Sequence, residues 1–212
     1  MIEEVNRETP LNGLVWFIDH AETVSDENLT RIKALGGGVA VQHRMAYQGE
    51  SFIHRYGKEA AKTAPPVRKM LDLRIPVGLG TDGTRVASYN PWVALYWLTT
   101  GKTIGGTQVM SPDNTLDRQT ALRMLTTGGY DLIRQSDAKG ILKKGYVADV
   151  LILDQDYFEV SDDRIESITS MLTIVDGRIV WGAGEYSTLA PPKLPAIPDW
   201  SPVNFYGGYE AR

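Results

Sequence analysis

The chain has 212 residues, enough for one well-buried core or one core with a small satellite. Its hydrophobic content of 42%, charged content of 23% and net charge of −4 give no electrostatic reason to bind nucleic acid or an anionic membrane. Cysteine is absent, which excludes disulfides and thiolate metal sites, so any metal has to be held by histidines and carboxylates. No apolar run approaches the ~20 residues of a membrane span. The opening Met1-Ile2-Glu3-Glu4-Val5 lacks the basic-then-apolar order of a signal peptide, and the expected location is cytoplasmic.

Residues 2–8 read as the tail of a helix, ended by Thr9-Pro10-Leu11-Asn12-Gly13. A chain that opens in the last turns of a helix suggests further sequence upstream. The apolar run Leu14-Val15-Trp16-Phe17-Ile18 predicts a strand that ends on Asp19-His20. Ser25 is an N-cap, Asp26 and Glu27 occupy the first turn, and Leu29, Ile32 and Leu35 form one helical face closed by Gly36-Gly37-Gly38. Val39-Ala40-Val41-Gln42-His43-Arg44 is a second short strand with a polar end. From Met45 to Lys62, with Tyr47, His54 and Tyr56, the expected structure is a long connection serving as a lid or pocket wall. Ala64-Pro65-Pro66 leads into a helix over 67–73.

Ile75-Pro76-Val77-Gly78-Leu79-Gly80-Thr81-Asp82-Gly83 is a buried-strand pattern that stops at an acid flanked by glycine. Taken alone, Asp82 is as well explained as the cap of a turn, and a lone histidine after a strand is more often structural. Two strands ending in His20 and Asp82, however, are the beginning of a divalent metal site. Asn90-Pro91-Trp92 starts a helix, residues 103–107 form a glycine-rich loop, and Asp113-Asn114-Thr115 is expected to cap a helix from about 116 to 134. The texture then changes. Residues 140–145 read as a turn between short strands, Ala148 to Asp154 as a strand, and 168–174 with 178–181 as a hairpin across Asp176-Gly177. Prolines at 191, 192, 195, 198 and 202 predict an extended tail. The expected division is 1–138, 139–186 and 187–212.

Several of these stretches, in this order, resemble the amidohydrolase superfamily, in the amidohydrolase-3 branch that includes formamide deformylase-like enzymes. Phe17-Ile18-Asp19-His20-Ala21-Glu22 resembles the sixth-strand motif whose histidine is a metal ligand. Val39-Ala40-Val41-Gln42 resembles the seventh strand, with His43 where the family more often has proline. Gly78-Leu79-Gly80-Thr81-Asp82 resembles the eighth-strand motif whose aspartate binds metal and moves the proton. Residues 142–154 resemble the family's return into a β-sandwich. The similarity runs from about Glu3 to Gly182. The first-strand His-x-His pair, the fourth-strand ligand and the fifth-strand histidine of the family have no counterpart here, since His20, His43 and His54 are the three histidines of the chain.

The resemblance implies an α/β fold, the C-terminal portion of a (β/α)8 TIM-like barrel (about strands 6–8) plus part of a small β-sandwich. It implies a metal-dependent hydrolase of C–N bonds in linear or cyclic non-peptide amides, acting as part of a larger enzyme. Asp82 would be the catalytic proton acceptor, His20 and Asp82 metal ligands, and His43 and Arg44 contacts to a small amide substrate. The cofactor would be a divalent metal, zinc, in the intact enzyme, and no tightly held metal in this portion alone. The alternative is a catalytically inactive remnant that persists as a folded, oligomeric unit. The chain would be an excised portion, a partial reading frame or one piece of a split enzyme. Three strands cannot close a barrel of about eight. Apolar surface near Trp16, Val41 and Leu79 is therefore expected to be covered by a missing N-terminal half or a second copy.

Overall fold

The computed structural model describes residues 1–83, 85–192, 199, 204 and 205. The chain folds as mixed α/β, with one parallel and one antiparallel three-stranded sheet. In the first, β1 (Phe17–Asp19), β2 (Gly38–Gln42) and β3 (Val77–Gly80) run parallel with β2 in the centre. Phe17 pairs with Gly38, Val39 with Val77, and Gln42 with Gly80. The helices are α1 (Ile2–Glu8), α2 (Asp26–Ala34), α3 (Met45–Tyr56), α4 (Lys58–Ala61), α5 (Val67–Asp72), α6 (Pro91–Thr100), α7 (Arg118–Leu125) and α8 (Thr127–Leu132).

The register divides the parallel sheet into two unlike faces. Val39, Val41, Val77 and Leu79 share one face and are buried in the core with Leu29 of α2, Met70 of α5 and Leu95 of α6. The other face carries Gly38, Ala40 and Gln42 beside Gly78 and Gly80. The strands are thus apolar on one face and small or polar on the other. Val41 and Leu79, expected to depend on a partner, are 0% and 6% exposed within their own chain, and Trp16 packs against the same core. Exposed apolar surface lies instead at Leu14, Val15 and Phe17, along the β1 edge.

The core's pillar is α6. Asn90 caps it by accepting from the Trp92 N–H at 3.0 Å, Pro91 occupies its first turn, and Gly101 ends it at φ 69°. Trp92, Val93, Ala94, Leu95, Trp97 and Leu98 are all buried, so this helix is apolar nearly all round.

Two expectations fail for identifiable reasons. The connection 45–62 is helical, as α3 and α4. Gly49, which argues against a helix interior, is where α3 approaches the 103–109 loop, and a Cβ there would fall 2.6 Å from Val109 Cγ2. The single helix 116–134 is instead two: Asp117, not Asp113, caps α7 by accepting from the Thr120 N–H at 2.9 Å, and the chain turns at Thr126 before α8. The turn lays Gly128 and Gly129 on β3. A Cβ on Gly128 would overlap the Val77 carbonyl, and Leu132 fills the space over Gly38 and Gly78.

The second sheet has β4 (Val150–Leu153), β5 (Ser170–Val175) and β6 (Arg178–Gly182), with the expected hairpin turning at Asp176 and Gly177, φ 51° and 72°. Residues 140–145 are bend and turn, as expected, but no strand precedes them, and a 3-10 helix over Gly184–Leu189 occupies the start of the anticipated tail. Most of the rest of that tail lies outside the described residues. Arg118 of α7 joins the two halves: its guanidinium donates to the Val160 carbonyl at 2.6 Å and to Asp162 Oδ1 at 2.7 Å. Among the described residues no helix is long and apolar enough to cross a membrane.

The α8–β3 contact yields a paired prediction. Gly128→Ala has no room and is expected to destabilise the chain by about 1–3 kcal/mol, as overpacking does. Gly129→Ala, whose Cβ would meet nothing within 4 Å, is expected to be neutral or stabilising by up to about 1 kcal/mol. Urea denaturation of both variants checks it, and equal effects would mean α8 is not seated on β3.

Candidate functional site

Because β1, β2 and β3 are parallel neighbours, their carboxyl ends emerge together. His20 directly follows β1, and its N–H is shared between the Ala40 carbonyl at 2.8 Å and the Gln42 Oε1 at 3.1 Å, both from β2. His20 and Ala21 then take left-handed conformations, φ 71° and 60°, which turn the chain sharply off the sheet. Asp82, two residues beyond β3, is left-handed as well, at φ 50°. Non-glycine residues in this region cost of order 1–3 kcal/mol and gather at functional sites. The result is convergence: His20 Nε2 lies 4.0 Å from Asp82 Oδ2, with the two side chains 33% and 37% exposed.

At that separation the imidazole and carboxylate are too far apart for a hydrogen bond. A divalent cation would be held there by an imidazole nitrogen of His20 and a carboxylate oxygen of Asp82. The donor chemistry is that of a divalent transition metal. His20 Nδ1 is buried without a hydrogen-bond partner, so nothing in the described chain fixes the ring's tautomer. His20 and Asp82 therefore fit as two donors. Among the described residues no group of three His, Cys, Asp or Glu side chains could complete a site.

Gln42 was not singled out from sequence. Beyond holding His20, its amide reaches Asp19 Oδ1 at 3.4 Å, so it braces the end of β1 from the central strand. A glutamine at a strand end has no periodic signature, and its role follows only from the β1–β2 register.

His43 and Arg44, expected substrate contacts, end up in different surroundings. His43 is 0% exposed, its ring meets Tyr47 edge-on at 5.6 Å, and neither ring nitrogen closes a hydrogen bond. Burial pushes the imidazole pKa down to about 4, against the opposing pull of the nearby Gly80 carbonyl and the Asp82 charge. The ring is closed off from solvent, with Tyr47 of α3 packed against it. Arg44 stands at the N-cap of α3, half-buried, with its Nε sealed from solvent and unpaired.

The depressed His43 pKa has a thermodynamic consequence. The unfolded chain takes up a proton near pH 6.5 and the folded one only near pH 4. The associated stability is present above pH 6.5 and lost as pH falls through this window, up to about 3 kcal/mol. His43→Phe is expected to flatten the stability profile between pH 4.5 and 6.5. Denaturant titrations at several pH values measure this, and an unchanged slope would show that His43 does not carry it.

The model of the amidohydrolase family matches residues 1–181. A 5-methylthioadenosine/S-adenosylhomocysteine deaminase of Dictyoglomus thermophilum is 28% identical over 193 residues, covering 82% of this chain and 40% of that protein. An N-substituted formamide deformylase of Arthrobacter pascens is 28% identical over 112 residues, covering 53% of this chain and 20% of its own. Among solved structures, an atrazine chlorohydrolase of Arthrobacter aurescens, complexed with zinc and atraton, superposes with a TM-score of 0.60 at 22% identity. That superposition covers 82% of this chain and 38% of the other, so the chain spans 40% or less of each of these three proteins. The chain belongs to the amidohydrolase family.

Proposed function

We propose that this chain supplies two metal donors and the proton acceptor of a metal-dependent hydrolase that cleaves C–N bonds in small non-peptide amides, linear or cyclic. The observation that carries this reading is the 4.0 Å approach of His20 and Asp82 at the carboxyl ends of parallel strands. Deamination and deformylation, for which the two relatives are named, are both hydrolyses of a C–N bond. Zinc is the metal in the proposal, as the donor types suit it and the superposed chlorohydrolase was solved with it.

His20 and Asp82 would hold the cation, and a cation bound there would supply water with its pKa lowered towards neutrality. Asp82 takes the water's proton and returns it to the departing amine, which otherwise leaves as a poor anion. The paired N–H of His20 and the Gln42 amide keep the end of β1 in place while that transfer occurs. In this proposal β1–β3 are about the last three strands of an eight-stranded barrel, and the remaining donors come from outside the described chain. The exposed apolar edge at Leu14, Val15 and Phe17, with Leu151 and Trp181 on the second sheet, supports association with that further portion or with a second copy.

A second reading, a folded unit without catalytic activity, is favoured by the two-donor count alone. The two separate in a chimera in which residues 1–181 replace the matching part of the Dictyoglomus deaminase. Zinc-dependent turnover is expected, and Asp82→Asn should lower kcat by ~10²–10⁴-fold with the fold intact. Near-normal turnover in Asp82→Asn would remove Asp82 as the proton acceptor. A folded, zinc-loaded chimera without turnover would favour the non-catalytic unit.

A further inference from the structure

Between the second sheet and the start of α6, a groove of about 620 Å³ is lined by three aromatic side chains, Tyr89, Trp92 and Trp181. Pro91, Ile168 and Ala183 add to its apolar lining. Trp92 and Ile168 are buried, whereas Trp181 stays 37% exposed. Polar groups around the groove are engaged within the chain. Trp181 Nε1 donates to the Ser170 carbonyl at 3.0 Å and Asn90 Nδ2 to the Glu166 carbonyl at 3.1 Å. Ser167 Oγ donates to the Arg164 carbonyl at 2.8 Å. What the groove offers is therefore flat apolar surface, the kind on which proline-rich segments dock.

The chain carries such a segment. Among Pro191, Pro192, Pro195, Pro198 and Pro202, the large apolar residues Leu194, Ile197, Trp200 and Val203 recur at every third position. Polyproline II has three residues per turn, so in that conformation this spacing places all four on one face. The period is neither that of a helix nor that of a strand, and it has no counterpart elsewhere in the sequence analysis. Of the tail beyond Pro192, the described residues are Asp199, Asn204 and Phe205. All three are exposed, and none of them belongs to the stripe.

The tail also starts at the groove. Trp181 and Ala183 line it, and Gly182 stands between them. A Cβ on Gly182 would fall 3.4 Å from Ala190 N, so the chain leaves the 3-10 helix beside the end of β6. Leu194 is four residues further, within about 14 Å of that point even when fully extended. From Leu194 to Val203 the stripe spans about 28 Å at the polyproline rise. That is enough to run from Trp181 towards Tyr89, whose backbone packs on the residue after Asp82. A Cβ on Gly83 would fall 2.7 Å from Tyr89 Cα.

We propose that this groove is the docking site of the chain's own segment 194–203, held by Leu194, Ile197, Trp200 and Val203. Docked so, the tail covers Trp181 from within the chain and leaves the β1 edge at Leu14, Val15 and Phe17 for association. It also ties the second sheet to the segment that carries Asp82 into α6. The docking is independent of the hydrolase reading and requires no turnover.

The test uses the full chain. Cysteine is absent, so Ser201→Cys, off the stripe, introduces a single attachment point for a nitroxide spin label. In the ¹⁵N-labelled protein, the Trp181 indole N–H and the amides of Ser170, Ala183 and Trp92 are expected to lose most of their intensity, while those of α2 keep theirs. Ile197→Ser with Trp200→Ser in the labelled chain should restore these signals, and Asp199→Ser should not. These changes lie in the tail, outside the core. Weak broadening spread evenly over the surface would overturn the assignment. So would local broadening that survives the loss of Ile197 and Trp200. A mixture of spin-labelled ¹⁴N chain with unlabelled ¹⁵N chain separates the possible occupants. Unaltered signals in the mixture support docking within one chain, whereas the same local loss there would place the tail on a second copy and overturn it.

Discussion

The site depends on the parallel pairing of β2 with a strand on each side. The Ala40 carbonyl of β2 accepts from the His20 N–H at 2.8 Å, which carries the β1–β2 ladder one residue past the strand. On the other side Gln42 pairs with Gly80, so Asp82 is two residues from a fixed point. A slip of one residue on either side would send the valines of the core to the open face. The burial of Val39, Val41, Val77 and Leu79 therefore fixes where His20 and Asp82 stand. The left-handed turns at His20, Ala21 and Asp82 then direct two side chains at each other instead of along the strands.

Stability and chemistry are divided between the two faces of one small sheet. The valine face meets α2, α5 and α6 and holds the core. The face of Gly38, Ala40, Gly78 and Gly80 contributes little to that core. Its close cover includes Leu132 and the backbone of Gly129, at the amino ends of β2 and β3. The carboxyl ends stay accessible, with the His20 and Asp82 side chains 33% and 37% exposed there. At this end Gln42, the last residue of β2, accepts from the His20 N–H, and Arg44, two residues on, stands at the N-cap of α3.

What was legible in the sequence followed from local pattern. His20 and Asp82 stood out because each ends a short apolar run, and Asp176-Gly177 because two adjacent left-handed residues suit a tight hairpin. Ser25 as the cap of α2 and Asn90-Pro91 as the start of α6 were legible for the same reason. The α3 helix was not. It has no side-chain cap, and Gly49 sits in its middle for a tertiary reason, the approach of the 103–109 loop. The break between α7 and α8 was hidden too, since its cause is the backbone of β3, roughly fifty residues earlier in the chain. His43 reads as a polar strand end, yet the first turn of α3 folds Tyr47 over it and takes it out of solvent.

The convergence of His20 and Asp82 on one cation is tested most directly by paramagnetic broadening. Substoichiometric Mn²⁺ is added to the ¹⁵N-labelled chain and the loss of each backbone amide signal is followed. Two donors meeting 4.0 Å apart predict that His20, Ala21, Asp82 and Gly83 broaden first, and that Asp82→Asn abolishes this local effect. Broadening centred on an exposed acidic stretch such as Asp162-Asp163, with His20 and Asp82 untouched, would contradict it.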